Sequence, residues 1–143
     1  METGMLQIEV ELINEKAKFK SAVRENAAII MDYIPPIGDG DGYMPLELFL
    51  MSFASCSGVS VASLLRKMRK TITGLKISAT GKRRDLHPTG FERIKLGFEV
   101  KSRDIERVDL EKVISMAEEE YCPIWAMIRN NVVVEWEIEI IRD

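Results

Sequence analysis

The feature that most constrains this chain is one long apolar segment, Leu46 to Leu65, in the first half of the sequence. It contains five serines and one glutamate. Basic residues follow it closely: Arg66, Lys67, Arg69 and Lys70. A membrane span needs about 20 predominantly apolar residues, so length alone allows one. The serines and the basic end instead favour the buried helix of a soluble protein, so we predict a central helix from Pro45 to about Lys70 and no membrane partner.

This helix presents two different faces when its residues are placed at the angular spacing of an α-helix. One face is bulky and gathers Leu50, Phe53, Val61, Leu64, Leu65 and Met68. The other side is small and carries Ser52, Cys56, Ser60 and Ser63, with Val59 among them. We expect the bulky face to pack on a sheet and the small face to be approached closely by another element.

Length and composition bound the size and the partners of the protein. The chain has 143 residues, of which 46% are hydrophobic and 30% charged, which suits a single domain over residues 1–143. Its formal net charge of −3 contains no block of like charges and gives no indication of a nucleic-acid partner. Met1 to Gly4 do not begin a basic segment followed by an apolar one, so we expect no signal peptide and a cytoplasmic location.

Three strands are predicted in the N-terminal part, residues 1–43, before the helix-centred part, residues 44–143. Leu6 to Ile13 alternates apolar and acidic residues, which is typical of a half-buried strand. Two further strands, Ala17 to Val23 and Ala27 to Met31, follow after short polar turns. Consecutive strands with tight turns predict an antiparallel meander.

The loop from Pro35 to Gly42 contains the run D-G-D-G, which invites a calcium interpretation. An EF-hand loop requires glutamate at its twelfth position, and the twelfth residue counted from Asp39 is Leu50. We therefore predict a plain flexible connection and no metal site.

The second half of the chain predicts a hairpin, two helices and a last strand. Asp109 is the predicted N-cap of the first helix, and Pro123 opens the second, shorter one. The predicted ranges are Gly74 to Arg84 and Phe91 to Lys101 for the hairpin, 110–120 and 124–129 for the helices, and Val132 to Ile141 for the last strand. The hairpin-like neighbours favour an α+β fold of antiparallel sheets with the helices on one side.

Two cysteines carry the chemistry that the sequence offers, Cys56 in the long helix and Cys122 directly before Pro123. A structural zinc site needs about four sulfur or nitrogen ligands, and His87 is the only histidine in the sequence. Two interpretations stay open. The thiols are inert core residues, since free cysteine is among the most buried types, or they form a redox pair. A redox pair requires Cα atoms about 4.4–6.8 Å apart.

The reactivity of each thiol depends on its surroundings. Only a thiolate attacks a peroxide, and apolar burial disfavours the thiolate, so Cys56 needs a cation nearby, most naturally an arginine. Cys122 adjoins a predicted helix N-terminus, which stabilises negative charge, so local reasoning favours Cys122 as the more reactive thiol. Glu47 lies about 180° around the helix from Cys56 and about 13 Å along it. Glu47 either holds a cationic partner in place or simply complements the first helical turn.

Several motifs resemble the OsmC/Ohr superfamily. The run from Met44 to Leu48, leading through Ala54 to Gly58, resembles its P-x-E-L…C helix. The run from Glu119 to Ile124 resembles its second-cysteine motif, a Cys-Pro pair preceded by an aromatic residue. Gly81 to Arg84, the strand from Phe91, and Val113 to Glu118 also fit the pattern. The resemblance covers about residues 44–141.

The resemblance implies an interlocked homodimer of α+β subunits whose central helices pack together. It also implies the reduction of organic hydroperoxides without a cofactor. Cys56 attacks the peroxide and becomes a sulfenic acid, and Cys122 condenses with it to a disulfide that a dithiol such as dihydrolipoamide reduces. This assignment reverses the local preference for Cys122. Phe53, Tyr121 and Trp125, the aromatic residues near the cysteines, are the predicted substrate-binding residues.

Two features depart from the best-known peroxidase branches of the superfamily. Their glutamate directly follows the proline, whereas here Leu46 intervenes before Glu47, an arrangement similar to a YhfA-like branch. Their activating arginine lies in the loop before the long helix, and residues 35–44 contain none. The candidates to replace it are Arg24, Arg83, Arg84 and Arg129. The alternative functions are a non-catalytic binding or carrier protein that uses the apolar dimer cleft, and a redox sensor.

Overall fold

The computed structural model describes residues 4–143 and divides them into two compact units, residues 4–49 and Leu50–Asp143. One helix, α1 (Pro45–Lys67), continues across the boundary. The boundary lies close to the predicted division at residues 43/44, and the single domain over 1–143 stays a prediction. Met1, Glu2 and Thr3, on which the expected absence of a signal peptide partly depends, lie outside the described residues.

The first unit contains the predicted antiparallel meander, with the strand order β1-β2-β3. The strands are β1 (Glu11–Leu12), β2 (Phe19–Ser21) and β3 (Ile29–Met31). They are much shorter than predicted. The apolar residues at alternate positions before β1 do not bury a face, because Leu6 is 89% and Ile8 61% exposed. Alternation in the sequence therefore predicted the pairing but overestimated its length.

The loop after β3 folds around one buried carboxylate. Asp32 is 2% exposed and accepts backbone N–H groups from Tyr33 at 2.8 Å, Asp39 at 3.2 Å and Asp41 at 3.1 Å. Burial opposes ionisation, but the N–H groups of Asp41, Tyr33 and Asp39 outweigh it and hold the pKa of Asp32 below its usual range. A Cβ at position 38 would lie 2.2 Å from Oδ1 of Asp32, so Gly38 is required. The loop is therefore an ordered structure and not the flexible connection that we predicted.

Two lysines of the β1–β2 turn complete this loop. Lys16 Nζ lies 2.6 Å from Asp39 Oδ1, and Lys18 Nζ lies 2.8 Å from Asp41 Oδ2. The carboxylate oxygens of Asp32, Asp39 and Asp41 lie within 4.8 Å of one another, close enough to share a cation. The ammonium groups of Lys16 and Lys18 therefore balance part of the negative charge of these three carboxylates.

The sheet of the second unit has the order β4-β5-β6. Its strands are β4 (Gly74–Arg83), β5 (Phe91–Ser102) and β6 (Val133–Arg142). The β4–β5 hairpin is antiparallel, as predicted, but β6 is parallel to β5, with Phe98 opposite Ile138. The expectation of purely antiparallel sheets is therefore wrong. A helical crossover joins β5 to β6 and returns the chain to the same end of the sheet, which makes the two strands parallel.

This crossover consists of α2 (Arg107–Met116), a π-helical turn (Ala117–Tyr121) and α3 (Pro123–Ile128). We predicted Asp109 as the N-cap of α2, and this prediction is wrong. The helix begins one turn earlier, with Glu106 at the N-cap. The Asp109 carboxylate instead accepts the backbone N–H of Glu106 at 2.9 Å, as the third helical residue of a capping box does.

The core of the second unit combines one helix stripe with the inner face of the sheet. The fully buried apolar side chains include Phe53, Val61 and Leu65 of α1, Ile94, Leu96 and Val100 of β5, and Leu110, Val113 and Ile114 of α2. The bulky face of α1 is thus confirmed at its centre. By length and composition alone α1 is apolar enough to cross a membrane, with a mean hydropathy of 1.8, but a core helix meets the same criteria.

Candidate functional site

The first thiol of the candidate site comes from the middle of α1. Its buried stripe repeats every four residues through Phe53, Ser57, Val61 and Leu65. Successive side chains of a helix are about 100° apart, so Cys56 lies at the edge of the stripe and is half-buried. The helix therefore holds one cysteine between the core and solvent.

The second thiol lies where the π-helical turn gives way to α3. The N–H of Cys122 donates to the carbonyl of Ala117 at 2.8 Å, and Cys122 itself is extended, with φ −83° and ψ 109°. Pro123 disfavours a helical conformation at the residue before it, which places Cys122 at the N-cap of α3. The Cys122 sulfur accepts the N–H of Trp125 at 3.5 Å and is 2% exposed.

These two elements bring the cysteines together although 66 positions separate them in the sequence. The Cys122 thiol lies close enough to Cys56 to raise the pKa of the Cys56 thiol. Both are free thiols, the first half-buried and the second buried. The fold thus brings the two thiols near each other with different access to solvent, and the shared pocket that the sequence suggested stays a prediction.

The surroundings of Cys56 disfavour its charged thiolate form. Burial raises the pKa of the Cys56 thiol, and the neighbouring Cys122 thiol raises it further. The backbone N–H of Ile124, in the first turn of α3, acts in the opposite direction. Among the described residues, no lysine or arginine contributes to this shift.

Two of the four arginines that were candidates to activate Cys56 donate to backbone carbonyls elsewhere in the described chain. Arg129 donates to the backbone carbonyl of Glu118, and Arg83 donates to the carbonyl of Thr89 at 2.7 Å. Neither they nor Arg24 and Arg84 contribute to the pKa of Cys56. Among the described residues, the backbone N–H of Ile124 is the group that favours the Cys56 thiolate, and no guanidinium group contributes.

The predicted substrate-binding aromatics occupy two different places. Phe53 and Trp125 are 0% and 2% exposed and form an edge-to-face pair, with ring centroids 5.4 Å apart. They join α1 to α3 beneath the thiols, so their present role is packing. Tyr121, at the end of the π-helical turn, is 51% exposed. Contact of any of the three with a substrate stays a prediction.

Glu47 has a local role in the first unit. Its carboxylate accepts the backbone N–H of Met44 at 2.8 Å, at the start of α1. This contact satisfies one of the free N–H groups near the start of the helix and agrees with the simpler interpretation of Glu47 as a helix-start residue. Its catalytic role stays a prediction.

Comparison with known proteins identifies the family of this chain. The sequence model described as "OsmC-like protein" matches residues 38–137. The chain belongs to the OsmC-like family. Protein YhfA of Escherichia coli (strain K12) is 29% identical over 97 residues, which cover 68% of this chain and 72% of YhfA. The YhfA-like assignment made from the sequence is thus confirmed.

Solved structures share the fold of this OsmC-like chain. A hypothetical protein from Aquifex aeolicus VF5 is 31% identical, with a TM-score of 0.82, over 96% of this chain and 98% of that one. The organic hydroperoxide resistance protein OhrB of Bacillus subtilis is 21% identical, with a TM-score of 0.68, over 94% and 98%. The α+β fold with a long helix and two sheets is therefore confirmed.

The OsmC-like chain also carries an open groove of about 600 Å³ between the exposed side of α1 and β4. Its walls include Ala54, Gly58, Val59, Leu75 and Ile77. Val59 is 67% exposed, and Gly58 faces Ile77 so closely that an added Cβ would lie 2.7 Å from its terminal methyl group. Of the small face predicted for the helix, only Val59 and Ser63 line this groove; Ser52, Cys56 and Ser60 are not among its walls.

Sequence reasoning missed one buried polar residue of the site. Ser57 is 0% exposed, and its hydroxyl lies 3.7 Å from the sulfur of Cys122. The available signal was its place in the four-residue repeat between Phe53 and Val61, where an apolar side chain is expected.

Proposed function

We propose that this OsmC-like protein reduces organic hydroperoxides by cysteine chemistry, with Cys56 as the attacking thiol and Cys122 as the resolving thiol. The observation that carries the proposal is the nearness of two free thiols of unequal exposure, which distant segments of the chain contribute. Membership of the OsmC-like family supports it, since OhrB of Bacillus subtilis, which shares the fold, is an organic hydroperoxide resistance protein.

The proposed reaction begins with the Cys56 thiolate, which attacks the outer oxygen of the hydroperoxide. The O–O bond breaks, an alkoxide leaves and takes up a proton, and Cys56 becomes a sulfenic acid. The Cys122 sulfur then attacks the sulfur of Cys56. An S–S bond forms, the S–O bond breaks, and the hydroxyl group leaves as water with the proton from Cys122.

The order of attack follows from accessibility. Cys56 is half-buried, so a small peroxide reaches it from solvent, whereas Cys122 lies beneath the surface with 2% exposure. A buried resolving thiol is protected from peroxide, and it is already near Cys56 when the sulfenic acid forms. The exposure of the thiols thus supports the assignment that family resemblance suggested over the local preference for Cys122.

The cycle requires a reductant that reaches the disulfide. We propose a small dithiol, such as dihydrolipoamide, because exchange at two sulfurs returns both cysteines to thiols and leaves the reductant as a cyclic disulfide. A cytoplasmic location is part of the proposal, since thiol pairs are kept reduced there. The chemistry needs no cofactor.

We further propose that the protein works as a homodimer. The groove beside α1 is lined by small and apolar side chains, and Met51 and Val59 on this side are 48% and 67% exposed. Exposed apolar surface of this kind marks a binding surface. A second copy of the chain, its own α1 laid along the groove, is the occupant that fits a stripe of small residues.

The proposal is tested by mixing the reduced protein with cumene hydroperoxide in a stopped-flow fluorimeter. The buried Trp125, whose backbone N–H contacts Cys122, is expected to report the change at the thiols. Wild type should show oxidation followed by disulfide closure. Cys56→Ser should not react, and Cys122→Ser should be oxidised once without forming a disulfide. Equal, slow oxidation of all three proteins would overturn the proposal.

A second candidate function is a binding or carrier protein that keeps this fold without peroxidase activity. The observation that favours it is the raised pKa of Cys56 with no cation contributing among the described residues, because this lowers the thiolate fraction at neutral pH. Native mass spectrometry of the purified protein separates the two. A copurified lipid or acyl species together with unreactive thiols would favour the carrier.

A further inference from the structure

Ser57 occupies a position where packing alone would select an apolar residue. It lies fully buried in the α1 stripe, one turn from Phe53 and one turn from Val61, which are both fully buried as well. A buried hydroxyl without a partner costs about 1–3 kcal/mol in protein cores. Alanine would fill this space at no such cost, so the hydroxyl itself needs an explanation.

The Ser57 hydroxyl contacts the thiol of Cys122, the proposed resolving cysteine. Ser57 Oγ lies 3.7 Å from Cys122 Sγ, and either atom can donate the hydrogen bond. Sulfur is a weak acceptor in its thiol form, whereas a thiolate accepts a stronger, charge-assisted hydrogen bond. A hydroxyl rotates freely and therefore serves both forms, as an acceptor for the thiol and as a donor for the thiolate.

A second contact further restricts the position of the Cys122 sulfur. The sulfur already accepts the N–H of Trp125 at 3.5 Å, within the first turn of its own helix, α3. Ser57 adds a contact from α1, and it is the sequence neighbour of Cys56. The sulfur is thus held between the helix that carries it and the helix that carries its reaction partner.

We propose that Ser57 is a positioning residue that orients the Cys122 sulfur toward Cys56 for closure of the disulfide. This inference rests on the proposed function. In the closing step the S–S bond forms while the leaving group on Cys56 departs, and Ser57 neither gains nor loses a bond. The Cys122 thiol first loses its proton, which leaves with the hydroxyl group of Cys56 as water. Ser57 holds the attacking sulfur in place and donates a hydrogen bond to its thiolate before the S–S bond forms.

The closing step can be followed without any peroxide. Reduced protein is mixed with dithiodipyridine, a small aromatic disulfide whose thiopyridone product absorbs light. Attack by Cys56 gives a mixed disulfide and releases one thiopyridone in a phase that depends on reagent concentration. Attack by Cys122 on that mixed disulfide then releases the second thiopyridone in a phase that does not depend on it.

Ser57→Ala should leave the first phase unchanged and slow the second by about threefold to tenfold, the effect of losing one ordinary hydrogen bond. Ser57→Thr, which keeps the hydroxyl, should restore most of the rate. Ser60→Ala, a serine of the same helix outside the fully buried stripe, is the matched control and should behave as wild type. Thermal unfolding of each reduced variant checks that the fold is kept.

A second phase in Ser57→Ala within twofold of wild type would overturn the positioning role, as would the absence of a second phase in wild type. Failure of the proposed function has a different signature. In that case cumene hydroperoxide leaves the thiols unchanged, while dithiodipyridine still reveals the dependence of disulfide closure on Ser57. If Ser57→Thr does not fold, the comparison of Ser57→Ala with Ser60→Ala still decides the question.

Discussion

At the scale of single residues, Cys56 combines access to solvent with an unfavourable environment for charge. Burial and the Cys122 thiol both raise its pKa, and only the N–H of Ile124 acts against them. A thiolate is nevertheless required for attack on a peroxide. The proposed chemistry within a single chain therefore has a strong dependence on pH, because the reactive form is the minor one at neutrality.

This dependence predicts how Cys56 reacts with iodoacetamide as pH changes. The alkylation rate of Cys56, followed by mass spectrometry, should rise with pH, with a midpoint above about 8.5, the ordinary value for cysteine. In Cys122→Ala the midpoint should fall, because one of the groups that raise the pKa is gone, but burial should keep it above the ordinary value. A midpoint clearly below the ordinary value would contradict this and would indicate a cation beyond the described residues.

At the scale of elements, the site depends on the junction between α1 and α3. Phe53 and Trp125 make an edge-to-face contact, both rings are buried, and the backbone N–H of Trp125 donates to the Cys122 sulfur. Cys122 and Trp125 belong to the same first turn of α3. The position of the resolving sulfur is therefore coupled to the packing of one indole ring.

Truncation of that ring should loosen the junction. We expect Trp125→Ala to lower the free energy of unfolding by about 3–5 kcal/mol, the usual cost of removing a large buried aromatic side chain. Urea unfolding of the reduced protein measures the loss. Tyr121→Ala changes an exposed aromatic residue that directly precedes Cys122. It should change the free energy of unfolding by less than about 0.5 kcal/mol. Equal effects of the two substitutions would show that the ring pair does not support the site.

The sequence predicted those elements whose signals are local. Periodicity located α1 and the β4–β5 hairpin, and Pro123 marked the break before α3. The parallel pairing of β6 was missed because pairing direction depends on the path of the crossover, not on the strand itself. The π-helical turn has no distinct residue pattern, and the contact of Ser57 with Cys122 depends on two segments meeting in space.

At the scale of the whole molecule, each of the two units exposes apolar side chains that a single chain leaves uncovered. In the first unit Leu6, Ile8 and Ile37 are 89%, 61% and 61% exposed. In the second unit the groove beside α1 is open along its small residues. Such surfaces are common at sites of association and rare in isolated monomers. Both units thus independently favour a second copy of the chain.

Sedimentation equilibrium of the wild-type protein should accordingly give twice the chain mass of 16.3 kDa. Val59→Glu places a charge in the groove beside α1, which Arg66 also lines, and should yield a monomer because a carboxylate is costly to bury in an interface. Val108→Glu is the matched control, since this valine of α2 is 71% exposed, close to the 67% of Val59, and lies outside the groove. It should remain a dimer.

The same variants connect assembly to the chemistry of the thiols. The raised pKa of Cys56 reflects the described residues of one chain, so the monomeric Val59→Glu protein should show it. A lower midpoint in the wild-type dimer than in Val59→Glu would show that the second copy supplies a cation. Iodoacetamide alkylation of both forms distinguishes these states. A wild-type protein that sediments as a monomer would contradict the dimer, and the exposed apolar groove would then favour a different occupant, as in the carrier function.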